Sequence, residues 1–291
     1  MILTLVLTPS PLTSGINFIT KNVTFKRNVI PDMPQFTKFK NLVKICLDIT
    51  LLIALGAAFL RVEKFVKPFQ SGYFCDDHSL KYSLKEDTFG FGLLTILSIA
   101  LPIGVIVVLD VFKNRSSFKS AIKEIYKSII FFAYGFLAHT ILLSVLKKSI
   151  GRLRPFFHEV CQPALPEGLQ CSNNTYIYDY ICSNENVPPR LLIEIYQSFP
   201  SGHASFIVYG MTFLVLYLEF RVKYKWSILL KAVFQLICIL LAVVVCSSRI
   251  TDNWHHLTDV VAGAIIGLVF ALWSIYLRFR SNRKSGDLLV N

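Results

Sequence analysis

Six stretches of the chain are nearly free of charge and long enough to cross a bilayer: residues 42–60, 89–109, 128–146, 199–218, 231–248 and 260–277. About 20 apolar residues in a helix span the hydrocarbon. Inside lipid every backbone N–H and C=O must be satisfied within the segment, so each run is expected as an α-helix. The fold class that follows is all-α: a polytopic bundle of six transmembrane helices. The first run is the weakest, because it holds Lys44 and Asp48, four residues apart and placed to pair at an interface. Pro102 and Gly104 are placed to kink the second.

Composition sharpens the class. Of 291 residues, 54% are hydrophobic and 16% charged, against roughly 25% charged in an average soluble domain. Mean hydropathy is +0.55. The net charge of +12 would suggest nucleic acid in a soluble chain. Here the basic residues flank apolar runs, which fits topology signals and anionic lipid instead. The bilayer is the expected partner, and nucleic acid is not. Met1–Leu12 is partly apolar, but the first lysine is Lys21, so no signal peptide is expected.

Charge bias then sets orientation. With the N-terminus cytoplasmic, the inner segments hold the larger share of the 30 Lys and Arg and the smaller share of the 18 Asp and Glu. That is the positive-inside arrangement. It divides the chain into a poorly ordered cytoplasmic tail, 1–40, a six-span domain, 41–278, and a cytoplasmic C-terminal tail, 279–291. The outer loops are 61–88, 147–198 and 249–259. Of the Asn-x-Ser/Thr sequons at Asn22, Asn114 and Asn173, only Asn173 falls outside, so it is the expected glycosylation site. Cys75, Cys161, Cys171 and Cys182 also fall outside, where they could form two disulfides in any of three pairings. Cys46, Cys238 and Cys246 lie in spans as small apolar residues.

The candidate chemistry collects at the outer span ends. Residues 248–259 place Arg249, His255 and Asp259 in one short connection. His255 and Asp259 would share a helix face if the next helix begins there. A carboxylate one turn away can set a histidine's tautomer and basicity, and arginine offers a planar fork to phosphate. Lys147 and Arg154 are seven apart, two helical turns, with Pro155 stopping the helix. Their position on the cation-poor side asks for an anionic partner. Pro200-Ser201-Gly202-His203 opens the fourth span, where free N–H groups meet an anion and Gly202 permits close approach. Asp76 and Asp77 read as a solvated turn rather than a metal site. His139 is expected to make an interhelical hydrogen bond, and His256 to be structural. His158 opens a loop, 156–198, that reads as a disulfide-pinned, glycosylated cap.

Taken together, Lys147-x6-Arg154-Pro155, Pro200-Ser201-Gly202-His203 and Ser248-Arg249-x5-His255-x3-Asp259 resemble the three signature motifs of the type 2 phosphatidic acid phosphatase (PAP2) superfamily. The flanks Phe74-Cys75-Asp76-Asp77, Gly151-Arg152-Leu153-Arg154-Pro155 and Pro200 to Phe206 are similar to the animal lipid phosphate phosphatases, or phospholipid phosphatases. The resemblance runs from about residue 42 to 277. Phe156 departs from it, standing where many relatives carry histidine.

The resemblance implies a core like that of the vanadium haloperoxidases, no metal and no other cofactor. It implies His255 as nucleophile, Asp259 as its orienting group and His203 as general acid and base. It implies Lys147, Arg154, Ser201, Gly202 and Arg249 as holders of the phosphoryl oxygens. The implied substrates are phospholipid and sphingolipid phosphates: phosphatidate, lysophosphatidate, sphingosine 1-phosphate and ceramide 1-phosphate. The site would face the extracellular or lumenal side, with the plasma membrane the expected location and homo-oligomerisation left open.

Three alternatives stand beside this. One is a catalytically silent lipid-binding or scaffold relative, against which the intact His203, His255 and Asp259 argue. A second is a polyprenyl-diphosphate or sugar-phosphate phosphatase of the same superfamily. A third is a transporter or channel, but its polar residues would gather at the midplane rather than at one edge.

Overall fold

The computed structural model describes residues 34–166, 171–172, 174–222 and 227–287. The sequons at Asn22 and Asn173 and residues 1–33 of the tail lie outside these residues. The helices are α1 (Pro34–Phe65), α2 (Phe91–Thr95), α3 (Leu101–Lys113), α4 (Phe118–Ile150), α5 (Phe157–Cys161), α6 (Pro189–Glu194), α7 (Gly202–Arg221), α8 (Ile228–Thr251) and α9 (Leu257–Asp287). A π turn, Ile96–Ala100, joins α2 and α3 into one continuous span. Among the described residues, six helical segments are long and apolar enough to cross a membrane: Phe39–Phe65, Phe91–Lys113, Phe118–Ile150, Gly202–Arg221, Ile228–Thr251 and Leu257–Ser281. The all-α expectation holds. Among the described residues four two-residue strands decorate it, with β1 (Tyr73–Phe74) antiparallel to β3 (Tyr176–Ile177) and β2 (Pro163–Ala164) antiparallel to β4 (Ile181–Cys182).

The chain falls into two compact units, Met1–Ile45 and Cys46–Asn291. In the first, the described part is the beginning of α1, so residues 34–40 are helical. The second holds the bundle. There Asp48 accepts a hydrogen bond from the Tyr126 hydroxyl at 2.7 Å.

Helix α7 is the axis of the bundle, burying Ile207, Tyr209, Met211, Phe213, Leu214 and Tyr217. Gly263 and Gly267 of α9, four residues apart, lie against the Ser201 and Ser205 carbonyls of the α7 start. A Cβ at either would collide, so the two backbones touch in the manner of small-residue membrane packing. On the second span, Pro102 cannot donate to the Ser98 carbonyl. That carbonyl packs instead on Gly210 of α7, and the unpaired turn relaxes into the π geometry. Among the described residues, His139 makes no interhelical hydrogen bond. Its Nδ1–H donates to the Gly135 carbonyl of its own helix at 3.0 Å, and its ring stacks on Tyr209 of α7 at 4.7 Å. Close packing of α4 on α7 leaves stacking as the contact across the interface.

The two ends of the bundle are tied differently. At one end a buried charge network joins four helices. Asp110 of α3 accepts from Arg221 and Tyr217 of α7, both at 2.6 Å, and Glu124 of α4 accepts from Arg278 of α9 at 2.8 Å. At the other end loops form a cap with its own core, including Tyr73, Leu80, Phe156, Phe157, Ile177 and Ile195. Two disulfides pin it, Cys75–Cys171 and Cys161–Cys182. That selects one of the three pairings, and Cys46, Cys238 and Cys246 stay free as expected. Each such crosslink typically stabilises by about 2–4 kcal/mol. Asp77 caps the turn His78–Leu80 through the Ser79 N–H. His158 packs edge-on against Tyr73.

Candidate active site

A cavity of about 700 Å³ opens beside the cap. Its walls include Lys147, Arg154, Gly202, His203, Arg249 and His255, so six of the expected site residues meet there. Its lining also includes the apolar side chains Phe59 of α1, Phe91 and Leu94 of α2, Leu143 of α4 and Phe206 of α7. Ser201 and Asp259 stand behind the wall, both fully buried.

Each part arrives by a local device. Helix α4 does not reach Arg154. It ends at Ile150, where Gly151 takes a left-handed φ of 63° and caps the Lys147 carbonyl. Lys147 therefore sits on the last helical turn, while Arg154 lies in the extended segment beyond it. The two converge by a change of chain direction rather than along one helix face. Lys147 donates to the Gln197 carbonyl at 3.2 Å. Arg154 donates to the Glu194 carbonyl at 2.9 Å and lies 5.0 Å from the Trp254 ring. Burial works against the Arg154 charge and Arg249 adds to this, while Glu194 and Asp259 oppose. Phe156 is buried against Trp254 and closes the cap behind Arg154.

Ser201 is the N-cap of α7, its hydroxyl accepting the Ala204 N–H, a device worth about 1 kcal/mol. Pro200 precedes the helix rather than starting it. At Gly202 a Cβ would meet nothing nearer than Lys147 Cε at 3.9 Å. The glycine thus keeps open the space between the helix start and the Lys147 ammonium. The long α7 aims its positive N-terminal end at that space.

His255 lies in the turn before α9 and is 3% exposed. Its Nδ1 is 2.7 Å from the Ser198 carbonyl. A carbonyl only accepts, so Nδ1 carries the proton and Nε2 holds the lone pair. Asp259 is 3.8 Å from Nδ1. Its carboxylate accepts instead from the Ser198 hydroxyl at 2.6 Å, the His256 N–H at 3.0 Å and Arg152. Asp259 therefore reaches His255 through Ser198. The spacing of four acts across the turn that starts α9, not along a shared helix face. Burial first, then the cations Arg154 and Lys147, hold the His255 pKa well below 6.5. The imidazole is neutral at pH 7, with its lone pair available. His256 Nε2–H donates to the Leu153 carbonyl and holds the cap down.

Sequence reasoning missed Ser198, Arg152, Asp252 and Asp87. Arg249 is fully buried, donating to Asp87 at 2.5 Å, Asp252 at 3.0 Å and the Ser248 hydroxyl. His203 donates Nε2–H to the Phe89 carbonyl at 3.1 Å, with Asp87 3.7 Å from the same nitrogen. Arg152 and Asp252 lie inside the quoted motifs and could have been marked as charged neighbours. Asp87 stands just before the second span. Nothing local marks Ser198. Among the described residues no group of three or more metal-ligating side chains converges. The arrangement is a cationic anion cradle with a neutral histidine at its wall, in a cavity also lined by apolar side chains.

The profile of the PAP2 superfamily matches residues 128–283, which carry all three motifs. The chain belongs to the PAP2 superfamily. Curated PAP2 relatives include phospholipid phosphatase 1 of Rattus norvegicus, 37% identical over 78% of this chain and 82% of its own length. The Mus musculus protein of the same name gives the same figures. Phospholipid phosphatase 2 of Mus musculus is 31% identical over 80% of this chain and 85% of its own length. No solved structure matches the chain.

Proposed function

We propose that this protein is a lipid phosphate phosphatase that needs no Mg²⁺ and works through a phosphohistidine. It is a phosphoric monoester hydrolase of the PAP2 superfamily, whose relatives carry phospholipid phosphatase names. The observation that carries the mechanism is the neutral, Nδ1-anchored His255 in a wall shared with Lys147, Arg154 and Arg249. Nε2 attacks phosphorus, and the bond from phosphorus to the ester oxygen breaks. His203 as imidazolium gives its proton to the leaving alkoxide. The neutral His203 then takes a proton from water, which attacks phosphorus and breaks the P–N bond. Lys147, Arg154, Arg249 and the Gly202 N–H hold the equatorial oxygens, and Ser201 and Asp259 position the helix start and His255. Phosphate monoesters need up to ~10²¹-fold acceleration. Clamping charge as it develops is the largest source available.

Phosphatidate, lysophosphatidate, sphingosine 1-phosphate and ceramide 1-phosphate fit a cavity lined by both cations and apolar side chains. The catalytic domain is 41–278, with the cap outside the cell and both tails cytoplasmic, in the plasma membrane. Purified protein in detergent micelles is expected to release phosphate from these lipids with EDTA present. Activity only after Mg²⁺ addition would refute the metal independence, and no release from any of the four would refute the reading. Glycan mapping in expressing cells should find Asn173 modified. A glycan at Asn22 or Asn114, with Asn173 bare, would invert the topology.

A further inference from the structure

We infer that Asp87 is a positioning residue with two partners: one carboxylate oxygen holds Arg249, and the carboxylate supports His203 when a phosphate oxygen takes its place on the guanidinium. This rests on the phosphatase reading. Asp87 lies outside all three motifs, on the segment 83–89 before α2. That segment is fixed to the turn 251–254 by a set of hydrogen bonds. Thr88 bonds both Asp252 oxygens, at 2.9 and 3.0 Å, and Lys85 donates to the Thr251 carbonyl at 2.9 Å. Asn253 donates to the Ser83 carbonyl at 2.9 Å, and Trp254 donates to the Lys85 carbonyl at 3.1 Å. The segment is thus a fourth wall of the site, carrying Asp87 and the Phe89 carbonyl into it.

The two oxygens of Asp87 face different groups. Oδ1 is 2.5 Å from Arg249 Nη1, and Oδ2 is 3.7 Å from His203 Nε2. A phosphate oxygen arriving at Arg249 competes with Oδ1 for the same guanidinium. Arg249 stays in place when Asp87 leaves, because Asp252 and Ser248 hold its other N–H groups. The displaced carboxylate needs to shift by only about 1 Å to share Nε2–H with the Phe89 carbonyl in a three-centre hydrogen bond. The Phe89 carbonyl already orients that N–H. The anchored nitrogen is then Nε2, and Nδ1 is the one left to hand over and take back the proton. The charges facing His203 are the cations Arg249 of α8 and Lys147 of α4 and the carboxylate of Asp87. Asp87 offsets part of the charge of the two cations.

The test is Asp87→Asn, with Asp87→Glu beside it, assayed for lipid phosphate turnover and for inhibition by inorganic phosphate across pH. Asp87→Asn removes a competitor of phosphate and a supporter of the imidazolium. Its Ki for phosphate should fall severalfold, while kcat drops roughly 10- to 100-fold, within the range of general acid–base catalysis. The alkaline limb of the kcat profile should move to lower pH. Asp87→Glu, which keeps the charge, should restore the wild-type limb. Wild-type turnover in Asp87→Asn refutes the inference. So does a pH-independent loss in both variants with weaker phosphate binding, the mark of a purely structural wall. Failure of the wild-type protein to release phosphate would refute the underlying reading instead.

Discussion

His255→Ala is expected to abolish phosphate release, with a loss on the order of 10⁴-fold or more, the scale seen when a covalent catalyst loses its nucleophile or base. The fold should survive. Among the described residues, the hydrogen bond of the imidazole is the one to the Ser198 carbonyl. Leaving such a carbonyl unpaired costs about 1–3 kcal/mol, less than the roughly 5–15 kcal/mol of a stable domain. Thermal unfolding of the purified variant checks this, and phosphate release checks the chemistry. Near-normal turnover would end the mechanism. The pH profile of the wild-type enzyme carries related information. The folded pKa of His255 lies well below 6.5, so its lone pair persists as pH falls through 6.5. It is lost only on descent through that lower value. An acid limb at 6.5 or above must come from another group.

The second large effect is a split between substrates. His203→Ala should lower lipid phosphate turnover by roughly 10²- to 10⁴-fold, because an alkoxide leaves poorly without a proton. An activated aryl phosphate needs no such proton. The variant should therefore release about one phenolate per enzyme in a burst and then stall, since no base activates water for the second half. Phosphohistidine should accumulate and be found on His255 by mass spectrometry of rapidly quenched protein. Equal losses on lipid and aryl substrates, with no burst and no phosphoenzyme, would remove His203 from both steps.

What the sequence makes legible here is what local spacing controls. Apolar runs of the right length mark the spans, and four of the six helical spans overrun their apolar runs at both ends because polar turns continue the hydrogen-bond ladder into the interface. The anion-binding start of α7 is legible because its residues are consecutive. The chain order of motifs needs nothing remote. Gly151 was also readable as a helix stop, since glycine after basic residues is the usual left-handed cap. The spacing of Lys147 and Arg154 suggested one continuous helix and hid it. Ser198 and Asp87 were not readable in this way. Ser198 meets His255 across 57 residues and Asp87 meets Arg249 across 162. Such contacts depend on how loops fold back over the bundle, and no local pattern encodes that. The disulfide pairing has the same character: four cysteines were in view, but only the folded cap distinguishes their partners.

Helix α1 has a consequence for kinetics. Its most apolar window buries no residue inside the protein, yet Phe59 and Glu63 line the site cavity. Glu63 pairs with Lys148 at 3.5 Å and Ser144 at 2.5 Å, polar links to α4. On the lipid phosphatase reading, these α1 residues meet a substrate held in the same bilayer as the protein. For such an enzyme the relevant concentration is two-dimensional. Occupancy of the site follows the mole fraction of substrate in the bilayer, and diluting the membrane with inert lipid slows the reaction as surely as removing substrate.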